Sequence, residues 1–414
     1  MCDIIPGEIL VSYEKDDPAA TALIDQIREN KIEHVSFAGS LEDRLKSMGL
    51  GIRPSLKSNF CRLLVPAGAE VFKINYLQFF YRFELLKAMA QGLITDLSRP
   101  FFSRTDGAFT VVPNSVLTTC FAFSYPRHDD YKSLFGWTGP SATKRKVLIV
   151  DSGILSTTGF NVTDQRNFVD PTNTANVTDD HPSEHGSVIA EIIRDLCPNA
   201  SLAVYKVIDS KDRASEWDTL AALAADCKAD IINMSIAFGL QDQTCSYCGR
   251  ESYASRSAVF EKMLTEITAN QDVIVVGAAG NQGKTELAFP ARFPQVVAIE
   301  SINQAKELSH FSNRSSVSAD GSSHKRVFVL PGGERTLTAG AAPTEWIASA
   351  KSTDHCGTSF SAAYASAIFA HLWDDTAHSS KTAEQLIAYC ASNADTAIPA
   401  YASATHGNGL MMVV

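Results

Sequence analysis

Long apolar runs are missing from this chain of 414 residues: no uninterrupted stretch approaches the ~20 residues that a membrane-spanning helix requires. Clustered basic charge is missing too. With 36 Lys and Arg against 46 Asp and Glu the formal net charge is -10, and the densest basic spot is the short Lys144-Arg145-Lys146 turn. Neither nucleic acid nor a membrane surface is therefore an expected partner. Residues 1–8 lack a basic segment followed by an apolar one, so the expectation is a cytoplasmic protein with no signal peptide. The 9 cysteines, an odd number scattered from Cys2 to Cys390, do not look like a disulfide framework for a chain of this length, and reduced thiols are the expectation.

What is present is ample apolar material, 45% of residues, enough to bury the cores of two domains. Residues 1–105 read as strand 7–14, a helix opened by Asp17 and Pro18, strand 34–38, a polar stretch, strand 60–66, an aromatic helix over 76–89 and strand 93–97. In the first helix Ala20, Leu23, Ile24 and Ile27 form one apolar face. Two helices among four strands in that order make a small α+β domain of split βαβ, ferredoxin-like pattern. Residues 106–145 show weak periodicity, are interrupted by Pro113, Pro126 and Pro140, and read as a connector. From 146 to 414 the texture changes. Short continuous apolar runs at 147–150, 202–207, 231–236, 273–276 and 296–299 alternate with helical patterns that include 185–196 and 217–227. Such runs indicate an α/β fold, a parallel sheet with helices on both faces, whose chemistry sits beyond the carboxyl ends of the strands.

Four polar motifs fall at those ends or open a helix. Asp151-Ser152-Gly153 follows the first apolar run; seen alone, it is a strand-ending Asx turn. His185-Gly186-Ser187 opens a helix with the apolar face Val188, Ile189, Ile192, Ile193 and Leu196, where a lone histidine is commonly a packing residue. Gly280-Asn281 ends another buried strand, and a Gly-Asn turn is its bland reading. Ser359 stands at the mouth of a small-residue apolar helix running from 360 to 373, with its hydroxyl at the positively polarised end. A serine hydroxyl is a poor nucleophile unless a positioned base, an orienting carboxylate and oxyanion donors accompany it. The other three motifs are of the types needed.

Taken together in this order, VLIVDSGI, HGSVIA, NMSIAFG, VVGAAGNQG and GTSFSAA resemble the subtilisin-like serine peptidases, the subtilases, with fainter echoes in GWTG, CPNASLAVYKV, AFPARFPQVVAI, FSNRSS and HGNGLM. A histidine in the second motif and an asparagine in the fourth favour them over the acid-active sedolisins. The resemblance implies a serine endopeptidase with Ser359 as nucleophile, His185 as base, Asp151 as its partner and Asn281 as oxyanion donor. It also implies substrate-binding positions at Ser235, Ile236, Ala237 and Gly280, with an extended protein or peptide substrate paired against 235–237 and the stretch 209–215. Ala237 and Phe238 depart from the glycines usual there, Glu191 stands in place of a glycine and Ala363 in place of a proline. No cofactor is implied as required; a structural calcium is common in the family and stays open here, with no acidic loop of clear ligand spacing to support it.

Many subtilases carry a prodomain with the strand and helix order of residues 1–105, and IPGEILVSYE is similar to its opening. That implies a zymogen: the N-terminal domain acts as an intramolecular inhibitor, cleaved off between about 97 and 131, with an activating partner as a further expectation. A permanently attached regulatory domain is the alternative. For the whole chain the alternative is a catalytically idle scaffold that binds a peptide or protein partner. An α/β-hydrolase esterase is disfavoured, because Ser359 is not in a Gly-X-Ser-X-Gly elbow and the order Asp, His, Ser differs. Cys245-Ser246-Tyr247-Cys248 reads as reduced loop cysteines, a local disulfide or part of a metal site.

Overall fold

The structure, a computed structural model, describes residues 4–31, 35–64, 104–106, 109–118, 122–123, 131–170, 172–238, 257–269, 273–334, 347–348 and 354–413. In chain order the main elements are β1 (Ile4–Glu14), α1 (Pro18–Arg28), β2 (Ser36–Ser40), α2 (Leu41–Ser47), β3 (Ser58–Leu64), β4 (Arg104–Asp106) and β5 (Phe109–Thr118). There follow β6 (Lys146–Asp151), β7 (Val162–Asn167), α3 (His185–Leu196), β8 (Ser201–Lys206), α4 (Glu216–Ala224), β9 (Ile231–Met234) and α5 (Ala258–Thr268). The chain continues through β10 (Ile274–Ala278), β11 (Val297–Ile302), β12 (Val327–Pro331), α6 (Thr358–Asp374) and α7 (Ala383–Ser392). Residues 1–117, 215–226 and 238–269 gather into one compact unit, and 118–214, 227–237 and 270–414 into a second.

In the first unit β5, β1, β3 and β2 lie side by side in that order, all antiparallel, with β4 on the other edge of β5. The order β1, α1, β2, β3 agrees with the first half of the expected split βαβ pattern. Asp17 caps α1, its carboxylate accepting the Ala20 N–H at 2.9 Å, and Ala20, Leu23, Ile24 and Ile27 are all buried as the periodicity requires. Two expectations are corrected here. The polar stretch after β2 holds a helix, α2, because Ser40 accepts the Asp43 N–H and starts it, and Leu41 and Leu45 are buried. The stretch 106–145, expected to be connector, supplies β5, whose 109–113 segment pairs with β1 from Ile9 to Tyr13. Pro113 hides that strand from a local reading, since pairing with a segment a hundred residues away leaves no periodicity. The helix expected over 76–89 and the strand over 93–97 lie outside the described residues.

Helices α4 and α5 join this unit although they come from the later part of the chain. Arg44 meets Asp218 at 2.6 Å, Arg53 Nε donates to the Leu223 carbonyl at 2.7 Å, and Glu266 accepts the N–H groups of Lys57 and Ser58 at 2.7 and 3.0 Å. These contacts also end α4 three residues before the expected 227. The Ala224 carbonyl accepts from Arg53 N and Asp226 N donates to the Gly51 carbonyl, which draws the chain into an extended bridge between Ala225 and Ile52.

The second unit is built on seven parallel strands in the order β12, β11, β10, β9, β6, β8, β7. The five expected runs are five of them. β12 and β7 are not among the expected runs, although β12 has the same continuous apolar texture; VTDQRN of β7 is a half-exposed edge strand that needs no apolar signature. Helix α6 is buried nearly all round, and its Ala and Ser residues let it lie close against the sheet. Helix α3 packs with it through Val188, Ile189, Ile192, Ile193 and Leu196. Among the described residues no helix is long and apolar enough to cross a membrane.

β11 carries one carboxyl into this core. Glu300 is fully buried and accepts the Ser315 N–H at 2.9 Å; burial holds its carboxyl well above the usual range, offset only in part by that bond and by Arg314. The folded chain keeps this proton at pH values where the unfolded chain has released it, so stability falls as pH rises from the ordinary carboxylate value towards the raised one. Glu300→Gln should remove that slope, with an unfolding free energy that exceeds the wild type's by more as pH rises through the interval. Urea melts at a series of pH values read this directly; parallel curves for the two proteins would refute it.

Candidate active site

Asp151 is the last residue of β6 and is wholly buried. Its carboxylate accepts the Ser152 N–H at 2.7 Å and lies 2.9 and 3.1 Å from Nδ1 of His185, the first residue of α3. An ionised carboxylate can only accept, so the ring proton is on Nδ1 and Nε2 is the basic nitrogen. The glycines in both motifs follow from close backbone approaches, of the two turns to each other at Gly186 and of the 177–179 segment at Gly153. A Cβ at Gly186 would stand 2.4 Å from the Gly153 carbonyl oxygen, and one at Gly153 would stand 2.2 Å from the Val177 oxygen. The Gly186 N–H donates to Ser152 Oγ at 2.9 Å, and Glu184, immediately before the histidine, takes a left-handed conformation with φ 52°. Asp179 secures the same turn by accepting the N–H and hydroxyl of Ser187 at 2.9 and 2.7 Å.

The His185 ring is fully buried, 5.7 Å between centroids from the ring of Phe360. Burial is the largest influence on it and opposes the charged form. The charge and hydrogen bond of Asp151, joined by the charges of Asp212 and Asp179, outweigh burial and raise its pKa above the ordinary imidazole value.

Ser359 is the second residue of α6, where a backbone N–H has no acceptor within the helix. Its hydroxyl donates to the Ser235 carbonyl at 3.3 Å, and the Ser235 hydroxyl makes contacts with the Ser359 carbonyl at 3.1 Å and Asn233 Oδ1 at 3.0 Å. Asn233 in turn donates to Ser366 at 3.0 Å, so a buried polar chain ties the end of β9 to α6.

Asn281 follows β10. Its Oδ1 accepts both the N–H and the hydroxyl of Thr358 at 2.9 Å, which fixes the orientation of the amide and makes Nδ2 its donor end. The Thr358 hydroxyl also accepts the Gly280 N–H at 3.1 Å. Gly280 has φ 105°, and a Cβ there would lie 2.5 Å from Asn313 Nδ2. Asn313 braces the loop by accepting the N–H groups of Gln282 and Lys284, each at 3.0 Å.

The fold thus brings Asp151 to His185, Ser359 to Ser235, and Asn281 with Gly280 to Thr358. Ile236 and Ala237 follow Ser235 and are buried. Cys356 is buried against Phe311, as a small packing residue would be, while Cys245 and Cys248 lie outside the described residues. Among the described residues no three His, Cys, Asp or Glu side chains converge as metal ligands would. Asp179, Thr358 and Asn313 escaped the sequence reading. Thr358 is the neighbour of the serine and Asn313 lies in FSNRSS, but nothing local indicates that their side chains face the Gly-Asn loop. A buried base with a fixed tautomer, a serine at a helix start and an oriented amide donor are the parts that acyl transfer requires.

Residues 142–409 match the Subtilase family. Subtilisin of Bacillus pumilus is 28% identical over 223 residues, covering 48% of this chain and 70% of its own length. The major intracellular serine protease of Bacillus subtilis (strain 168) is 29% identical over 154 residues, 35% of this chain and 40% of that protein. Thermitase of Thermoactinomyces vulgaris is 26% identical over 198 residues, 44% of this chain and 63% of its own. The chain therefore spans less than two thirds of the second and third of these relatives.

Thr358→Val keeps the side-chain shape and deletes the hydroxyl that bonds Gly280 and Asn281. Leaving a buried N–H without its acceptor should lower the unfolding free energy by about 1–3 kcal/mol. Urea denaturation measures this, and a variant as stable as the wild type would deny the hydroxyl its role.

Proposed function

The chain belongs to the subtilase family, and from that premise we propose that it is a serine endopeptidase that cleaves peptide bonds in protein or peptide substrates. The observation that carries this reading is the buried Asp151–His185 pair in the same unit as a helix-opening Ser359 and an Asn281 amide oriented by Thr358.

Ser359 Oγ turns from the Ser235 carbonyl and attacks the carbonyl carbon of the substrate as His185 Nε2 takes its proton. Asp151 stabilises the imidazolium through Nδ1–H. The tetrahedral oxyanion is received by Asn281 Nδ2 and the Ser359 N–H. His185 then gives its proton to the leaving amine, and a water molecule, deprotonated by the same nitrogen, releases the acyl group from Ser359. Substrate lies extended along Ser235, Ile236 and Ala237, with Gly280 keeping the oxyanion side open. No step requires a metal or cofactor.

The N-terminal segment acts as inhibitor and folding partner. Its strands share a compact unit with α4 and α5, two helices of the family-matching region, through Arg44–Asp218 and the bonds from Lys57 and Ser58 to Glu266. Processing falls within 97–131 and, because β5 is held in register on β1, after Thr118 rather than inside that strand.

Intact mass of wild type beside Ser359→Ala is the deciding experiment. A wild-type chain shortened after Thr118, with the variant full length, is expected. A fluorophosphonate probe should label wild type at Ser359 alone; a folded wild type that takes up no label would leave the idle-scaffold reading in its place. On a cleaved substrate, Ser359→Ala should lower turnover by on the order of 10⁶, and Asn281→Ala by about 10² to 10³ with substrate binding little changed. Labelling needs neutral His185, so its rate should climb as pH rises through a midpoint above the ordinary imidazole value.

A further inference from the structure

Four residues before the base stands a second buried histidine that the mechanism does not use. The His181 ring lies edge-on to that of His185 with centroids 6.3 Å apart, and its side chain is fully buried. Its Nδ1 accepts the Ser183 N–H at 3.2 Å, so in the neutral ring the proton is on Nε2. That nitrogen faces Asp212 Oδ1 at 3.4 Å.

Asp212 is presented by a tightly closed loop. Its own N–H donates to the Asp209 carbonyl at 3.1 Å, and Asp209 Oδ1 accepts the N–H groups of Lys211 and Arg213 at 2.9 and 3.0 Å. Asp212 takes the left-handed conformation, φ 57°, uncommon for a residue with a side chain. At the other end, His181 belongs to the turn that delivers His185: its carbonyl accepts the Glu184 N–H at 2.9 Å, and its own N–H contacts Asp179 at 3.2 Å.

We propose that His181 and Asp212 form a second histidine–aspartate pair, a positioning element that braces the His185 turn against the 209–213 loop and keeps a negative charge beside the catalytic imidazole. The proposal rests on the peptidase reading for its meaning. The groups facing His185 are Asp151 from β6, Asp179 and the His181 ring from the preceding turn, Asp212 from the loop and the apolar ring of Phe360 from α6. Asp179 contacts the backbone N–H of His181, and Asp212 is thus the carboxylate in this set that faces its ring. Its charge acts on His185 in the same direction as that of Asp151. Because the loop forms most of the stretch 209–215 expected to flank an extended substrate, the pair ties the geometry of that stretch to the base.

The test reads the imidazole directly. In the full chain carrying Ser359→Ala, with ring-labelled histidine, the His185 NMR resonance is assigned by its loss in His185→Ala and titrated. Adding Asp212→Asn should lower the His185 midpoint by roughly half a pH unit. His181→Leu, which cannot hold the loop, should do the same, and His181→Gln, which can accept from Ser183 and donate to Asp212, should restore the original midpoint. An unchanged midpoint in Asp212→Asn would overturn the proposal, as would a shift in Asp212→Asn that His181→Leu does not reproduce. If His181→Leu fails to fold, Asp212→Asn decides, because it removes charge at constant shape. Failure of the wild type to take up a fluorophosphonate would count against the peptidase reading and leave this titration intact.

Discussion

The structure depends on burying one carboxylate away from solvent. Asp151 has no exposed surface, and a charge so placed is tolerated only with strong partners. It has the N–H of the adjacent Ser152 and the His185 Nδ1–H, and the second demands that two turns approach closely. That approach excludes a Cβ at Gly186, while the Val177 carbonyl excludes one at Gly153; Glu184 takes the left-handed conformation and Asp179 secures the helix start. Gly186 is thus a consequence of one buried carboxylate–imidazole contact.

Helix α6 is the second constraint, and it acts through smallness as well. A helix buried on nearly every side must keep any polar groups internally bonded. Here they also tie it down: Ser366 to Asn233, the Ser359 carbonyl to Ser235, Ser361 to the carbonyls of Leu330 and Pro331, and Thr358 to Asn281. Gly332 allows the closest approach, since a Cβ there would lie 2.2 Å from Ser301 Oγ and 2.5 Å from Ser361 Oγ. The same bonds that hold the helix fix the register of its first turn, so stability and the placement of Ser359 come from one set of contacts.

The two units differ in how openly they declare themselves. The strands of the parallel sheet are continuous apolar runs because both faces are covered, and continuity is visible locally. The antiparallel unit hides more. α2 is seven residues long and too short for a periodic signature, and β5 contains a proline and pairs with the opposite end of the segment. α4 and α5 look like ordinary helices of the later region, yet they pack with the N-terminal strands through ion pairs and carbonyl contacts that no local pattern encodes.

The sequence by itself determined the parallel α/β architecture, the family and the motifs that carry Asp151, His185, Asn281 and Ser359, because the glycines and flanking apolar run of each motif are constrained over short distances. It also determined the face of α1, through a spacing of three and four. Only the tertiary structure decided that Thr358 orients Asn281, that Asn313 braces Gly280, that Asp179 secures the His185 turn and that His181 reaches Asp212. Each of these is a side-chain contact between segments that, Asp179 aside, are about 30 to 80 residues apart in the chain. A hydroxyl or carboxylate beside a motif looks the same in sequence whether it faces solvent or the site, and burial in the folded chain makes the difference.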